Sequence, residues 1–211
     1  MDKAFHLKKE PYIKGQRIFA KAKVCIHEGI TVLVGCNGTG KTSMLKQMHK
    51  QLVTENAAVM YYDYAKVRES KGRMLQDGEI PAAQFASWVS DSEGEQIVVA
   101  MSLLARSIGA FVRGHAGEDI YILVDAIDSG LSIDNIDCVK RLLFATIISD
   151  VQAKGNHAYV IVTANSYEMA AGVQCVEAST CEEKNFSSYS EYRQFILLSA
   201  AKKENRDANR K

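Results

Sequence analysis

Residues 35–42 are Gly35-Cys36-Asn37-Gly38-Thr39-Gly40-Lys41-Thr42, and they fit the pattern G-x-x-x-x-G-K-[ST]. The apolar residues 30–34 before them predict a buried strand, and residues 42–53 after them carry apolar side chains at helical spacing. A strand directly before the loop and a helix directly after it form the context that confirms this motif. The glycines let the backbone curl so that its N–H groups and the positive end of the helix meet an anion. The segment therefore predicts a phosphate-binding loop.

Two side chains of the loop and one downstream carboxylate carry the expected chemistry. We expect Lys41 to reach the β- and γ-phosphates of ATP, and the Thr42 hydroxyl to ligate Mg²⁺. Ser43 is expected to join the loop in contacting the nucleotide. Asp125 closes the apolar run 119–125. We expect its carboxylate to hold the metal through water and, with Lys41, to take part in catalysis. An Asp can also end a core strand as a simple cap, and the sequence leaves that alternative open.

Strands and helices alternate along the chain. Continuous apolar runs predict strands, and apolar residues at a period near 3.6 predict helices. We expect strands at residues 24–26, 30–34, 57–64, 119–125 and 158–163, and helices at 42–53, 94–114, 134–153 and 189–211. This alternation predicts an α/β fold with a mostly parallel sheet flanked by helices.

The composition predicts one ordinary globular domain. The chain is 47% hydrophobic with a formal net charge of +1, which argues against a histone-like binder. It has two prolines and no low-complexity linker or repeat. We therefore expect a single domain over residues 1–211, with a small lobe at about 66–114 and a charged C-terminal helix at about 189–211.

The N-terminal residues and the cysteines bear on location. The segment MDKAFHLKKEPY lacks the apolar core of a signal peptide, and no apolar run approaches the roughly 20 residues of a membrane helix. We expect a soluble, cytoplasmic protein with no membrane partner. The five cysteines lack the paired spacing of a zinc site or a disulfide framework, so we expect reduced, mostly buried thiols.

Three segments together resemble the ABC class of ATPases. Asn37 gives the loop the GxNGxGK[ST] form of that class. Residues 92–96, SEGEQ, look like the ABC signature in its SMC/RecF-like form, S-x-G-E, and residues 123–131, LVDAIDSGL, look like the Walker B and D-loop segment. The resemblance covers about residues 21–167 and implies a P-loop NTPase fold with a short helical signature lobe. Taken alone, the signature segment is also an ordinary helix N-cap.

The resemblance implies that ATP lies between two head-to-tail copies of the chain. Lys41 and Thr42 of one copy would face the signature of the other, which places a helix N-terminus against the γ-phosphate. The expected signature contacts are Ser92, the Gly94 backbone and Glu95. The chain would then form an ATP-dependent homodimer that acts as a nucleotide-gated switch.

Other features suggest a stand-alone head rather than a transporter subunit. The interval between Lys41 and Ser92 is too short for a permease-coupling lobe. Gln76 is the candidate for the metal-contacting glutamine of the Q-loop, and it can equally be an exposed loop residue. Residues 129–134 would form the D-loop, although Ser132 stands where the class commonly has Asp. Small heads of this kind resemble motor or sensor subunits of DNA-repair and bacterial anti-phage systems, in which the effector is a separate protein.

Two positions near the γ-phosphate depart from the class. Ala126 stands where related ATPases have the Glu that polarises the attacking water, a role worth roughly 100- to 10,000-fold in rate. Hydrolysis is therefore expected to be impaired, either because efficient turnover was lost or because a Glu was replaced to trap the ATP-bound state. Asn165 is the best match for the switch histidine and can donate one hydrogen bond. It can equally be a strand-end turn residue.

Two other functions and the adenine contact stay open. A nucleic-acid-binding clamp or repair module would use its basic tail on phosphates, although the same tail can be a solvated, fraying end. The cations of the tail are Lys202, Lys203, Arg206, Arg210 and Lys211. A P-loop kinase for small molecules would need an acceptor pocket and a lid. Tyr12 and Phe19 are candidates to stack on adenine, with a place in the core as the alternative.

Overall fold

The computed structural model describes residues 2–8, 19, 21, 23–63 and 93–208. Residues 66–92 of the expected small lobe lie outside these residues. The strands are β1 (Lys3–His6), β2 (Lys23–Ile26), β3 (Gly29–Val34), β4 (Ala58–Asp63), β5 (Ile120–Asp125), β6 (Ala158–Thr163), β7 (Gln174–Glu177) and β8 (Glu182–Lys184). The helices are α1 (Lys41–Thr54), α2 (Glu93–Gly114), α3 (Ile133–Cys138), a π-helical segment (Val139–Phe144), α4 (Ala145–Gln152), α5 (Tyr167–Ala170) and α6 (Tyr189–Ala208). None of the described helices is long and apolar enough to cross a membrane.

Six of the described strands form one mostly parallel sheet in the order β4-β5-β6-β3-β7-β8. Neighbours from β4 to β7 run parallel, and β8 runs antiparallel to β7 at the edge. Helices flank the sheet, so the predicted α/β class with a mostly parallel sheet is confirmed. Because β6 lies between β3 and β5, the carboxyl ends of these three strands lie side by side.

The core lies on both faces of the sheet. Every residue of β5 and β6 is buried, as expected for parallel strands covered by helices. On one face, Met44, Leu45 and Met48 of α1 are fully buried in a cluster with Leu123 and Ile161. Residues of α2, α3 and α4 form a second cluster with the opposite faces of the same strands. Each such burial stabilises the fold by about 1.5–3 kcal/mol, which fixes α1 and the loop before it against the sheet.

The small antiparallel sheet β1–β2 covers the outer side of α1. Phe5 and Ile26 are fully buried in the same cluster as Leu52. The Gln51 side chain accepts a hydrogen bond of 2.9 Å from the backbone N–H of His6. These contacts tie the N-terminal strand to the helix that follows the glycine-rich loop.

The helix predicted at 134–153 is present but changes its winding. The helix α3, the π-helical segment and α4 follow one another directly, and the residues at both junctions keep right-handed helical dihedral angles. Lys140 in the π-helical segment donates hydrogen bonds to the carbonyls of Glu168 in α5 and of Ala171 directly after it. The π-helical segment of this helical stretch therefore contacts α5.

Several short elements are not predicted by the sequence pattern. The strands β1, β7 and β8 and the helix α5 span four residues or fewer, too few for a periodicity to show. The strand β7 matters for the site because it pairs with β3, with Val34 opposite Glu177.

The prediction of mostly buried thiols is wrong. Cys25 and Cys138 are exposed and Cys36 is partly exposed, whereas Cys175 and Cys181 are buried. Residues of β2 alternate between exposed and buried, and Cys25 falls on the exposed side. All five cysteines are free.

Candidate functional site

The glycine-rich loop connects β3 to α1 and depends on glycine conformations. Gly35, Gly38 and Gly40 have φ angles of 136°, 80° and 98°, values that side chains strongly disfavour. A Cβ atom at Gly35 would lie only 2.7 Å from Oγ1 of Thr39. That hydroxyl donates a hydrogen bond of 2.8 Å to the Cys36 carbonyl and closes the loop from inside. The loop therefore needs both the glycines and a small hydroxyl residue in its interior.

Lys41 folds back over the loop. Its Nζ atom donates hydrogen bonds of 2.6 Å to the Gly35 carbonyl and 3.2 Å to the Cys36 carbonyl. Burial lowers the pKa of Lys41, while the negative charges of Asp128 and Asp125 oppose this effect. The ammonium group is thus held over the loop by two of its carbonyls.

Asp125 is the centre of a hydroxyl cluster. Its side chain is buried, with only 4% of the residue exposed. Oδ1 accepts hydrogen bonds of 3.0 Å from Thr42 Oγ1 and 2.6 Å from Thr163 Oγ1. Oδ2 accepts one of 3.2 Å from the Tyr61 hydroxyl. The first residue of α1 after Lys41 and the last residue of β5 are therefore in direct contact, as the motif predicts for a shared metal site.

Thr163 and Tyr61 belong to the site although sequence reasoning did not select them. Thr163 ends β6 and also accepts a hydrogen bond of 2.7 Å from the Ala126 N–H. Tyr61 reaches Asp125 from β4, the neighbouring strand on the other side. Burial raises the pKa of Tyr61, and the charges of Asp125 and Asp63 add to this rise, so the phenol stays a donor. The strand order puts both residues beside Asp125, and that order is not readable from the sequence.

Ala126 is one of the strained residues of the chain. Its φ angle is 55°, in the left-handed region that costs a non-glycine residue of order 1–3 kcal/mol. The hydrogen bond from its N–H to Thr163 holds this conformation. Strain of this kind is typical of positions where the direction of a side chain matters.

A cleft of about 300 Å³ opens between the loop and the ends of β5 and β6. It brings together most of the residues predicted for nucleotide, metal and catalysis. Its walls are Asn37, Gly38, Gly40, Lys41, Thr42, Ser43, Asp125, Ala126, Thr163 and Asn165. Gly35, Cys36 and Thr39, which are also predicted to contact the nucleotide, do not line this cleft.

Asp128 links the segment after β5 to the segment after β6. Its Oδ2 atom accepts hydrogen bonds of 2.6 Å from the Asn165 N–H and 2.7 Å from the Ser166 N–H. Asn165 itself is exposed and lies in the wall of the cleft. The turn that follows holds Ser132 just before α3, where its hydroxyl accepts a hydrogen bond of 2.9 Å from the Asn135 side chain. The predicted D-loop is thus fixed to the same edge of the sheet as Asn165.

The C-terminal helix α6 packs behind the loop. Lys203 Nζ donates a hydrogen bond of 3.0 Å to the Asn37 carbonyl. This lysine of the basic tail is therefore bonded to the loop rather than free in solvent. Lys202 is exposed. The side chain of Arg206, and the whole of Arg210 and Lys211, lie outside the described residues.

Other predicted residues cannot be placed in the cleft. Ser92 and Gln76 lie outside the described residues, as does Tyr12. Gly94 and Glu95 lie in the first turn of α2. Phe19 is only 3% exposed and belongs to the core cluster around α1, so it fits the core alternative rather than stacking on adenine.

The oxygen atoms of the cleft fit a hard divalent cation. Mg²⁺ is usually held by one or two carboxylates together with substrate phosphates and waters. Thr42 Oγ1 and Asp125 Oδ1 lie 3.0 Å apart at the helix start. Among the described residues, no group of three or more His, Cys, Asp or Glu side chains converges. A cation at Thr42 and Asp125 would therefore take its remaining ligands from phosphate oxygens and water.

The case for a function rests on this geometry. A glycine-dependent loop, a folded-back lysine and a hydroxyl–carboxylate pair lie together at the carboxyl ends of β3 and β5, the two strands that flank β6. In comparisons with known proteins, the chain matches no family model and no curated protein sequence.

Proposed function

We propose that this chain is an ABC-class P-loop ATPase, a stand-alone SMC/RecF-like head that binds ATP with Mg²⁺ in the cleft. The observation that carries the proposal is the 3.0 Å contact between the Thr42 hydroxyl and the Asp125 carboxylate. It joins the end of the glycine-rich loop to a strand that is separated from β3 by β6. Two motifs 83 positions apart in the chain thereby form one site.

The residues of the cleft divide the binding of ATP among them. The loop N–H groups and the start of α1 would receive the phosphates. Lys41 would exchange the Gly35 and Cys36 carbonyls for phosphate oxygens, since it already lies over the loop. Thr42 and Asp125 would hold Mg²⁺, which supplies positive charge against the phosphates. Thr163 and Tyr61 keep the Asp125 carboxylate in place.

The resemblance adds a second copy of the chain to the site. Ser92 and the Gly94 backbone of that copy would close on the γ-phosphate, so that ATP gates a dimer which acts on a separate effector. Turnover would be slow because the methyl group of Ala126 cannot polarise water. The ATP-bound dimer would therefore be long-lived.

The decisive experiment is the molar mass in solution, measured by light scattering with ATP and Mg²⁺ and again with ADP. The proposal expects a dimer with ATP and a monomer with ADP. Lys41→Ala should stay monomeric with ATP, and Lys46→Ala should dimerise normally, because Lys46 is an exposed lysine further along α1. If Lys41→Ala dimerises as well as the unmodified chain, ATP does not hold the dimer together.

A further inference from the structure

We infer that Lys203 of α6 is a positioning residue of the phosphate loop, and that α6 sets the affinity of the loop for nucleotide. The inference rests on the proposed function, because it concerns the same cleft. It assigns a role to a helix that lies far along the chain from every motif of the nucleotide site.

Two side chains of α6 hold two consecutive loop residues. Lys203 Nζ donates a hydrogen bond of 3.0 Å to the Asn37 carbonyl. Ser199 Oγ accepts one of 3.3 Å from the Cys36 N–H. Ser199 and Lys203 are one helical turn apart and so share a face of α6. Ser199 is 5% exposed, so this face is packed against the loop.

Three consecutive backbone carbonyls of the loop are already held by hydrogen bonds. The Gly35 and Cys36 carbonyls accept hydrogen bonds from Lys41, and the Cys36 carbonyl also accepts one from Thr39. The Asn37 carbonyl accepts its hydrogen bond from Lys203. A carbonyl oxygen that turned into the cleft would repel a phosphate, whereas N–H groups attract it. When Lys41 moves to a phosphate, Lys203 still holds the Asn37 carbonyl.

Lys203 also brings positive charge close to the loop. A Cβ atom at Gly38 would lie only 2.8 Å from Lys203 Nζ, so the ammonium group touches the backbone of a residue that lines the cleft. Among the described residues, no acidic side chain pairs with Lys203. Its charge is therefore available to the loop, and a charge-assisted hydrogen bond of this kind is roughly twice as strong as a neutral one.

The test measures binding of N-methylanthraniloyl-ADP with Mg²⁺ by fluorescence. ADP is chosen because in the proposed mechanism it occupies the loop without closing a dimer. Lys203→Met should weaken binding about tenfold, by the usual size of a charge-assisted hydrogen bond. Lys203→Arg should restore affinity to within about threefold, since it keeps charge and donors. The matched control is Lys202→Met. Lys202 is the exposed neighbouring lysine, so its replacement should change the affinity by less than about twofold.

The outcomes separate the two proposals. If the unmodified chain binds neither the ADP analogue nor ATP, the proposed function and this inference both fail. If the unmodified chain binds and Lys203→Met binds equally well, the inference alone is overturned. An Arg variant as weak as the Met variant also overturns it. A merely structural role for Lys203 would lower the unfolding temperature of Lys203→Met but leave its affinity for the ADP analogue unchanged.

Discussion

Asp125 is a carboxylate whose position is set by hydroxyl groups on three other elements. Thr42 approaches from α1, Thr163 from β6 and Tyr61 from β4. Each hydroxyl donates a hydrogen bond to the carboxylate, so together they fix the positions of its two oxygens. Asp125 is therefore held by one residue of the loop motif, Thr42, and by two residues that no motif selects, Thr163 and Tyr61.

Thr163→Val tests this support at the scale of one hydroxyl. Val has nearly the shape of Thr, but it removes the donor to Asp125 and leaves the Ala126 N–H without its acceptor. Because Thr163 is only 3% exposed, we expect the free energy of unfolding to fall by about 1–3 kcal/mol. Urea denaturation measures it. Thr146→Val, at an exposed helical threonine, should change it by less than about 0.5 kcal/mol.

Ala126→Glu tests the role of the residue after Asp125. Ala126 already has a φ angle of 55°, and Glu carries the same backbone strain as Ala, so the change should cost little stability. The side chain would enter the wall of the cleft. We expect ATP turnover to rise at least about tenfold, by the lower range of acid–base catalysis. Phosphate release measures it.

Ala126→Gln is the control for that experiment. Gln has the size of Glu but cannot accept a proton, so its turnover should stay at the level of Ala. An equal rate in the Ala and Glu chains would contradict a general-base role for position 126.

At the scale of elements, what could be predicted depended on how local the signal was. The glycine pattern identified β3, the loop and α1, and the apolar runs identified β5 and β6. The position of β6 between β3 and β5 arises from packing between distant segments, which periodicity does not report. For that reason Asp125 was predictable, whereas its partners Thr163 and Tyr61 were not. The short strand β7 could not be predicted for a different reason, because a stretch of four residues is too short to show a periodicity.

Glu28 links three elements at the amino ends of the strands, opposite the cleft, and its pKa predicts how the stability of the fold changes with pH. It lies in the turn before β3, and its carboxylate accepts hydrogen bonds of 2.7 Å from Gln152 at the end of α4 and 2.7 Å from His157 before β6. The hydrogen bond from Gln152, and then that from His157, lowers the pKa of Glu28 from 4.5 to about 2. The folded state therefore binds fewer protons between these values than the unfolded state.

The stabilisation from Glu28 should be complete above pH 4.5 and disappear as the pH falls towards about 2. In Glu28→Gln we expect a loss of about 2 kcal/mol at neutral pH, allowing for partial solvent screening. The difference from the unmodified chain should shrink to near zero at the acid end. Urea denaturation across this range measures both effects. Glu118→Gln, at an exposed glutamate, should follow the unmodified chain at every pH, and a constant gap for Glu28→Gln would contradict the linkage.

Across the fold, two core clusters pack against the sheet, and hydrogen bonds to Asp125 join α1, β4, β5 and β6 beside the cleft. The helix α6 adds a fifth element from the C-terminal side. A ligand in the cleft would touch the loop, α1 and the ends of β5 and β6, and hydrogen bonds to Asp125 and Asn37 would link it to β4 and α6. Binding there should stabilise the fold as a unit rather than one loop.

Thermal unfolding with ATP and Mg²⁺ tests that coupling together with the dimer. A ligand present at 100 times its dissociation constant stabilises the native state by about 2.7 kcal/mol, which for a chain of this size raises the midpoint by roughly 5–10 °C. If ATP also closes a dimer, the midpoint must rise further as the protein concentration increases, because association then contributes by mass action. ADP should raise the midpoint without that dependence, and Lys41→Ala should show neither effect. A rise with ATP that is the same at every protein concentration would leave ATP binding in place and exclude ATP-dependent dimerisation.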